Sequence, residues 1–386
     1  YLIYYGGEIV NVIIAPDSFK GSLTASEVAD AVRIGINRYD EKIETREVPL
    51  SDGGEGMVEA LVAATEGEII ETKVKDPLGR DIESHFGILG AGETAVVEMA
   101  SASGLTLLEE REYDPLATTT YGTGQLIEKA LDQNISKLIV GIGGSATNDG
   151  GVGMAQALGG HFLDQESQEI DGTGAGLADL ETIDLSDLDS RLSEIEIEVA
   201  CDVDNPLVGE NGAANIYAPQ KGASASDVKR LDQNLEHLAK VIKTELGQEV
   251  SHQPGAGAAG GLGAGLLTFL EAELNSGIEI VSETLNLRAK IEEADLVITG
   301  EGAIDHQTAN GKVPVGVAKI AQEFDVPVVA IAGAVKDDAK QLYQLGIDGM
   351  TSIISAPITL QESMVQAEKL IIETVIRLMH LLDINI

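Results

Sequence analysis

KLIVGIGGSATNDGGVGMAQAL, residues 137–158, is the stretch that decides the fold. A short apolar run ends in paired glycines, a polar turn follows, and apolar residues then recur at helical spacing. The same order returns along the chain. NVIIAP (11–16) leads into DSFKGS and a helix expected over 24–38, opened by the capping box Thr24-Ala25-Ser26-Glu27. ETREVPL leads into SDGGEG (51–56) and the helical MVEALVAAT; ADLVITGEG (294–302) leads into AIDHQTANGK and VPVGVAKIAQEF; VPVVAIAG (326–333) closes the series. Strands alternating with helices predict an α/β protein with parallel sheets, whose ligands bind beyond the carboxyl ends of the strands. The glycine-rich loops lie there.

The rest of the chain is less regular. Residues 76–104 and 194–200 read as β-rich, residues 231–246 as an amphipathic helix, and the acidic residues 177–196 as a solvated surface segment. A length of 386 residues favours two domains. No apolar run reaches the roughly 18 residues of a membrane helix. Residues 1–10 lack the basic stretch and cleavage site of a secretory signal. The one cysteine, Cys201, reads as a small buried hydrophobe and fits a reducing cytoplasm. Against 25 Lys and Arg stand 64 Asp and Glu, a net charge of −39, which repels nucleic acid and anionic membrane. A salt-adapted surface explains the same excess. Any site for an anionic substrate must concentrate its few cations.

Each loop could serve chemistry or be a plain turn. Gly255 to Gly260 spells GxGxxG, but no strand precedes it, so close backbone packing explains it better than a dinucleotide site. No Walker lysine motif occurs. The best phosphate cradle is Gly143 to Gly151: Gly143 and Gly144 bare the backbone N–H groups, Ser145 and Thr147 can donate, and Asp149 can reach a metal. Asp17, Ser18 and Lys20 put a carboxylate, a hydroxyl and a mobile cation in one loop, and Asp52 lies in another. Asp202 follows an apolar run, where a Mg²⁺ ligand or catalytic base would sit. Gly300, Glu301, Asp305, Thr308 and Lys312 make a second mixed-charge site, in which His306 reads as a loop residue. Arg80 could grip a carboxylate through its fork.

Together these loops resemble the type-1 glycerate kinase family. The matching stretches are APDSFKGSLTA, PLSDGGEG, DPLGR, TTTYGTG, GIGGSATNDGG, CDVDNPL, YAPQKGA, PGAGAAGGLGAG and GEGAIDHQTANGK, in one order over nearly the whole chain, with residues 1–10 outside it. The resemblance implies a flavodoxin-like domain built from both chain ends, residues 1–75 with 285–386, and a second α/β domain, residues 76–284, inserted between them. It implies a kinase that uses ATP and Mg²⁺ to phosphorylate D-glycerate, an alcohol acceptor. Bacterial members of the family favour 2-phosphoglycerate over 3-phosphoglycerate as product. Monomer and homodimer stay open.

The expected roles are these. Lys20, with Arg80, holds the carboxylate of glycerate; Asp17 and Ser18 meet its hydroxyls. Asp202, or failing it Asp52, orients or deprotonates the attacking hydroxyl. Gly143, Gly144, Ser145 and Thr147, with Gly300, Thr308 and Lys312, hold the phosphates, and Asp149 or Glu301 holds Mg²⁺. The rival readings are a serine hydrolase centred on Ser145 and a non-catalytic binder of organic anions.

Overall fold

The computed structural model describes residues 10–51, 53–54 and 56–382. The expectations for Asp52, and for nearly all of residues 1–10, lie outside the described residues. The chain divides into two compact units, Tyr1–Asp52 with Ile278–Ile386, and Gly53–Gly277.

The first unit carries five parallel strands: β1 (Asn11–Pro16), β2 (Glu44–Glu47) and, from the far end of the chain, the later strands β11 (Leu296–Ile304), β12 (Val328–Val335) and β13 (Gly349–Ser352). Their spatial order is β13-β12-β11-β1-β2. Numbered within the unit this is 2-1-3-4-5, the order of flavodoxin-like doubly wound sheets. Both chain ends thus share one sheet, in register from Val12 opposite Leu296 to Pro16 opposite Gly300. Central strands buried on both faces must be apolar throughout, as Val12, Ile13, Ile14 and Ala15 are. The helix Ala25–Tyr39 has the predicted capping box and packs on the helix Ala367–Leu382. Gly35 permits that approach, since a Cβ there would stand 2.8 Å from the Val375 side chain.

The second unit holds a six-stranded mixed sheet, β3 (Glu68–Lys75), β4 (Asp81–Ile88), β5 (Thr94–Glu98), β6 (Lys137–Gly141), β9 (Glu196–Ala200) and β10 (Glu273–Asn275), in the order β10-β9-β6-β5-β4-β3. A separate antiparallel pair is β7 (His161–Leu163) with β8 (Thr182–Asp184). Pairs from β5 through β10 are parallel, while β3–β4 and β4–β5 are antiparallel. The boundaries therefore fall at Asp52 and Ile278 rather than at residues 75 and 285. The reason is that β3 pairs with β4 along its full length and the helix Met57–Thr65 packs on β4 and β5. The acidic segment 177–196 is also less solvated than its charge suggests: Leu177, Leu180, Ile183 and Leu192 are buried. The amphipathic helix is present and longer than read, Ala225–Glu245.

Candidate active site

In the second unit the decisive loop leaves β6 and ends in the helix Val152–Ala157. Its carbonyls are taken from within: Thr118 Oγ1 donates to the Ala146 oxygen at 3.0 Å, and Lys221 Nζ donates to the Thr147 oxygen at 2.6 Å. Each carbonyl and the next N–H lie on opposite edges of one peptide plane. Drawing the carbonyls inward therefore turns the following N–H groups the other way. Among the described residues no protein acceptor takes the N–H of Ser145, Thr147, Asn148 or Asp149. Thr147 Oγ1 and both ends of the Asn148 amide are also buried without a partner. Buried polar groups are rarely left so, and a run of unclaimed N–H groups is an anion nest. Glycine makes the loop possible, with Gly144, Gly150 and Gly151 at φ +75°, +63° and +78°.

The stretch that spells GxGxxG lies against this loop. A Cβ on Gly260 would sit 1.9 Å from the Thr147 carbonyl oxygen, and one on Gly265 would sit 2.7 Å from that of Gly150. These glycines serve close backbone packing. Gly54 also lies close to this loop: a Cβ on Gly143 would stand 3.1 Å from its α-carbon.

Asp149 does not fit a metal ligand. It is wholly buried, and its carboxylate accepts from Thr120 N and Oγ1 at 2.7 Å each, Gly151 N at 3.2 Å and Gly153 N at 3.3 Å. A metal would have to displace donors that the fold itself needs. Burial pushes this carboxyl up, but all its partners are donors, so the ionised, acceptor-only form fits. Arg80 is committed too, pairing with Asp76 and, at 2.8 Å, with Glu112. Asp202 stands just beyond β9, exposed, and accepts the Gly277 N–H at 3.0 Å.

Two groups that the residue-by-residue reading gave no role belong to these loops. Lys221, in the turn Pro219–Lys221, is 1 % exposed and also donates to Ser145 Oγ at 2.6 Å. Burial pulls its ammonium down to about 7. Glu98, the last residue of β5, accepts the Val58 N–H at 2.8 Å at the start of the helix Met57–Thr65. Burial pushes its carboxyl up to about 7, the backbone donors opposing. Between pH 4.5 and 7 the folded protein holds a proton there that the unfolded chain has lost, so this group lowers stability as pH rises through that window. E98Q removes the titration. Urea unfolding at pH 5 and pH 8 should show the stability difference between variant and wild type moving in favour of E98Q by on the order of 2–3 kcal/mol. An unchanged difference would contradict this assignment.

In the first unit the loops at the carboxyl ends of β1 and β11 adjoin. Asp17 N donates to the Gly300 oxygen at 2.8 Å, and a Cβ on Gly302 would meet Lys20 N at 3.5 Å. Asp17 accepts the Ser18 N–H at 2.6 Å, while Lys20 is exposed. Gly300 is required by packing, since a Cβ there would lie 2.2 Å from the Ile331 oxygen. β11 runs on to Ile304, so Glu301 is a strand residue rather than a loop residue. Its buried carboxylate accepts Thr308 Oγ1 at 2.5 Å and pairs with Lys312 at 3.3 Å. Thr308 thus holds Glu301, and its Oγ1 also accepts the Asp305 N–H at 3.1 Å. Asp305 caps the turn His306–Asn310 and pairs with Lys336 at 2.7 Å, which holds its carboxyl below the usual range. His306 pairs with Asp338 at 2.9 Å. Among the described residues no three His, Cys, Asp or Glu side chains are grouped to hold a metal.

Residues 12–383 match the model of the glycerate kinase family. This chain belongs to that family. A glycerate kinase of Bacillus subtilis strain 168 is 51% identical over 354 residues, 92% of this chain and 93% of its own length. The glycerate 2-kinase of Escherichia coli K12 is likewise 51% identical, over the same shares. A crystal structure of a putative glycerate kinase 2 from Salmonella typhimurium LT2 superposes with a TM-score of 0.89 at 45% identity, covering 97% of this chain and 98% of that one. This chain therefore shares its α/β architecture with that Salmonella structure.

Proposed function

We propose that this glycerate kinase family member transfers the γ-phosphoryl group of ATP to the 2-hydroxyl of D-glycerate. The observation that carries this reading is the Gly143–Gly151 loop, with its run of unclaimed N–H groups over a buried cation. Phosphoryl transfer asks a protein for positioning and charge neutralisation more than for covalent chemistry. In this reading Gly143, Gly144 and Ser145 hold the phosphates, and Lys312 adds charge. Lys20 takes the glycerate carboxylate, and Asp17 and Ser18 meet its hydroxyls. Asp202 orients or deprotonates the attacking oxygen, with Asp52 the second choice. Mg²⁺ would arrive on the nucleotide's own phosphates, as it does where a site keeps few carboxylates. Glu301 fits as a protein contact to it better than Asp149 does, because Asp149 is saturated by fold donors. Thr308 serves by holding Glu301, and Arg80, held by Asp76 and Glu112 yet with guanidinium donors left over, stays a second candidate for the glycerate carboxylate. No described helix is long and apolar enough to cross a membrane, and a cytoplasmic setting suits a kinase that draws on ATP.

The test is ADP release with D-glycerate, lactate, tartronate and glycolate as acceptors, followed by ³¹P NMR of the product. Turnover should require glycerate. Proton coupling should split the product's ³¹P signal into a doublet, since the 2-phosphate neighbours one C–H proton. A triplet would mean transfer to O3, and no turnover by the folded protein would end the reading.

A further inference from the structure

Among the described residues of the second unit, Lys221 is a buried cation with no carboxylate within ion-pair distance. Its ammonium donates to a hydroxyl, Ser145 Oγ, and a carbonyl, Thr147 O, both at 2.6 Å. Stripping water from an ammonium is unfavourable; the charge of buried Asp149 offsets part of that penalty without hydrogen-bonding to the ammonium, and a methionine of similar volume would fill the same space without the penalty. An apolar side chain would meet the packing need alone, so the charged head calls for a further reason. What it does to the loop supplies one.

Ser145 Oγ uses a lone pair to accept from Lys221, so its own proton must go elsewhere. No described protein acceptor takes that proton. A hydroxyl polarised by a cation behind it is a stronger donor in front. The bond to Thr147 O fixes the peptide whose other edge is the unclaimed Asn148 N–H. The same segment carries the orphaned Thr147 Oγ1 and Asn148 amide. One side chain thus fixes the outward turn of a hydroxyl and a backbone N–H and, when protonated, adds a positive charge behind them. In a chain of net charge −39 that charge is scarce.

We propose that Lys221 is the positioning residue of the phosphate cradle: a cation buried beneath the Gly143–Gly151 loop that orients Ser145 and the Thr147–Asn148 peptide towards the transferred phosphoryl group. It does not touch substrate. The inference rests on the kinase reading above and adds to it a residue whose effect falls on the phosphoryl donor rather than on glycerate.

The experiment compares wild type with K221M, K221Q, S145A and K221M/S145A. It measures kcat, KM for ATP and for D-glycerate separately, calorimetric binding of the non-hydrolysable analogue AMP-PNP, and the thermal midpoint. K221M should unfold within a few degrees of wild type or higher while losing about 10²–10³-fold in kcat/KM for ATP, the scale of removing a preorganised donor. KM for D-glycerate should stay within about threefold and AMP-PNP should bind at least about tenfold more weakly. S145A should be damaging in the wild type but nearly silent in the K221M background, because the pair acts as a unit. K221Q keeps a donor and loses the charge, so it should remain at least about tenfold impaired. Several results would overturn the proposal: folded K221M or K221Q working like wild type, a loss confined to KM for D-glycerate, or both variants failing to fold, which would make Lys221 structural. If wild type itself turned over no glycerate, the kinase reading would fail, while the AMP-PNP comparison would still decide the role of Lys221.

Discussion

Gly260→Ala should destabilise the protein by about 3–5 kcal/mol, among the largest effects a single methyl group can have here. Two causes add. The residue sits at φ +72°, where a side chain is strained, and the new Cβ would lie 1.9 Å from the Thr147 carbonyl oxygen. That neighbour is backbone, so relief requires the Gly143–Gly151 loop itself to move. The variant should therefore lose activity even at temperatures where it stays folded. Gly247→Ala is the internal control, at φ +73° with nothing within 4 Å of its Cβ position; it should cost only the conformational strain, about 1–2 kcal/mol. Urea unfolding of the two variants separates clash from strain, and equal losses would contradict the close packing of residues 255–265 on the loop.

Asp149→Asn should cost about 3 kcal/mol, because one end of the amide must present N–H₂ to donors that now face a carboxylate. The substitution also discriminates between the two roles an acid in this loop can have. A metal ligand would lose activity and change its Mg²⁺ dependence while the thermal midpoint held. A structural acceptor, which the four donors from Thr120, Gly151 and Gly153 make it, loses stability first, and the apparent affinity for Mg²⁺ stays near that of wild type in the surviving folded protein. A stable variant with a shifted Mg²⁺ requirement would restore the metal role.

Asp149 also shows where sequence reading stops. An acid among glycines beside a strand end is legible as a ligand candidate, but whether its lone pairs are free depends on Thr120, far off along the chain. Lys221 is the reverse case. Its motif, YAPQKGA, stands out only by family resemblance, and nothing in its spacing tells that the ammonium reaches Ser145, 76 residues away. Glu98 reads as one member of an alternating strand, and only the folded chain sets it at the start of the helix Met57–Thr65. The architecture was more open to reading, since local patterns carry it: apolar runs ending in glycine loops gave the parallel strands, and Thr24 with Glu27 marked a helix start. The unit boundary is not legible locally, because β3 looks like any strand following a helix. Its antiparallel pairing with β4 is a tertiary choice.

The central claim is that the Gly143–Gly151 loop is the phosphate cradle. Its most direct test is a titration of ¹⁵N-labelled protein with AMP-PNP, followed by transverse-relaxation-optimised amide spectra. The backbone N–H signals of Ser145, Thr147, Asn148 and Asp149 should shift strongly and saturate together with nucleotide binding. If these four stay in place while the nucleotide saturates its site, the phosphates are held elsewhere and the claim is wrong.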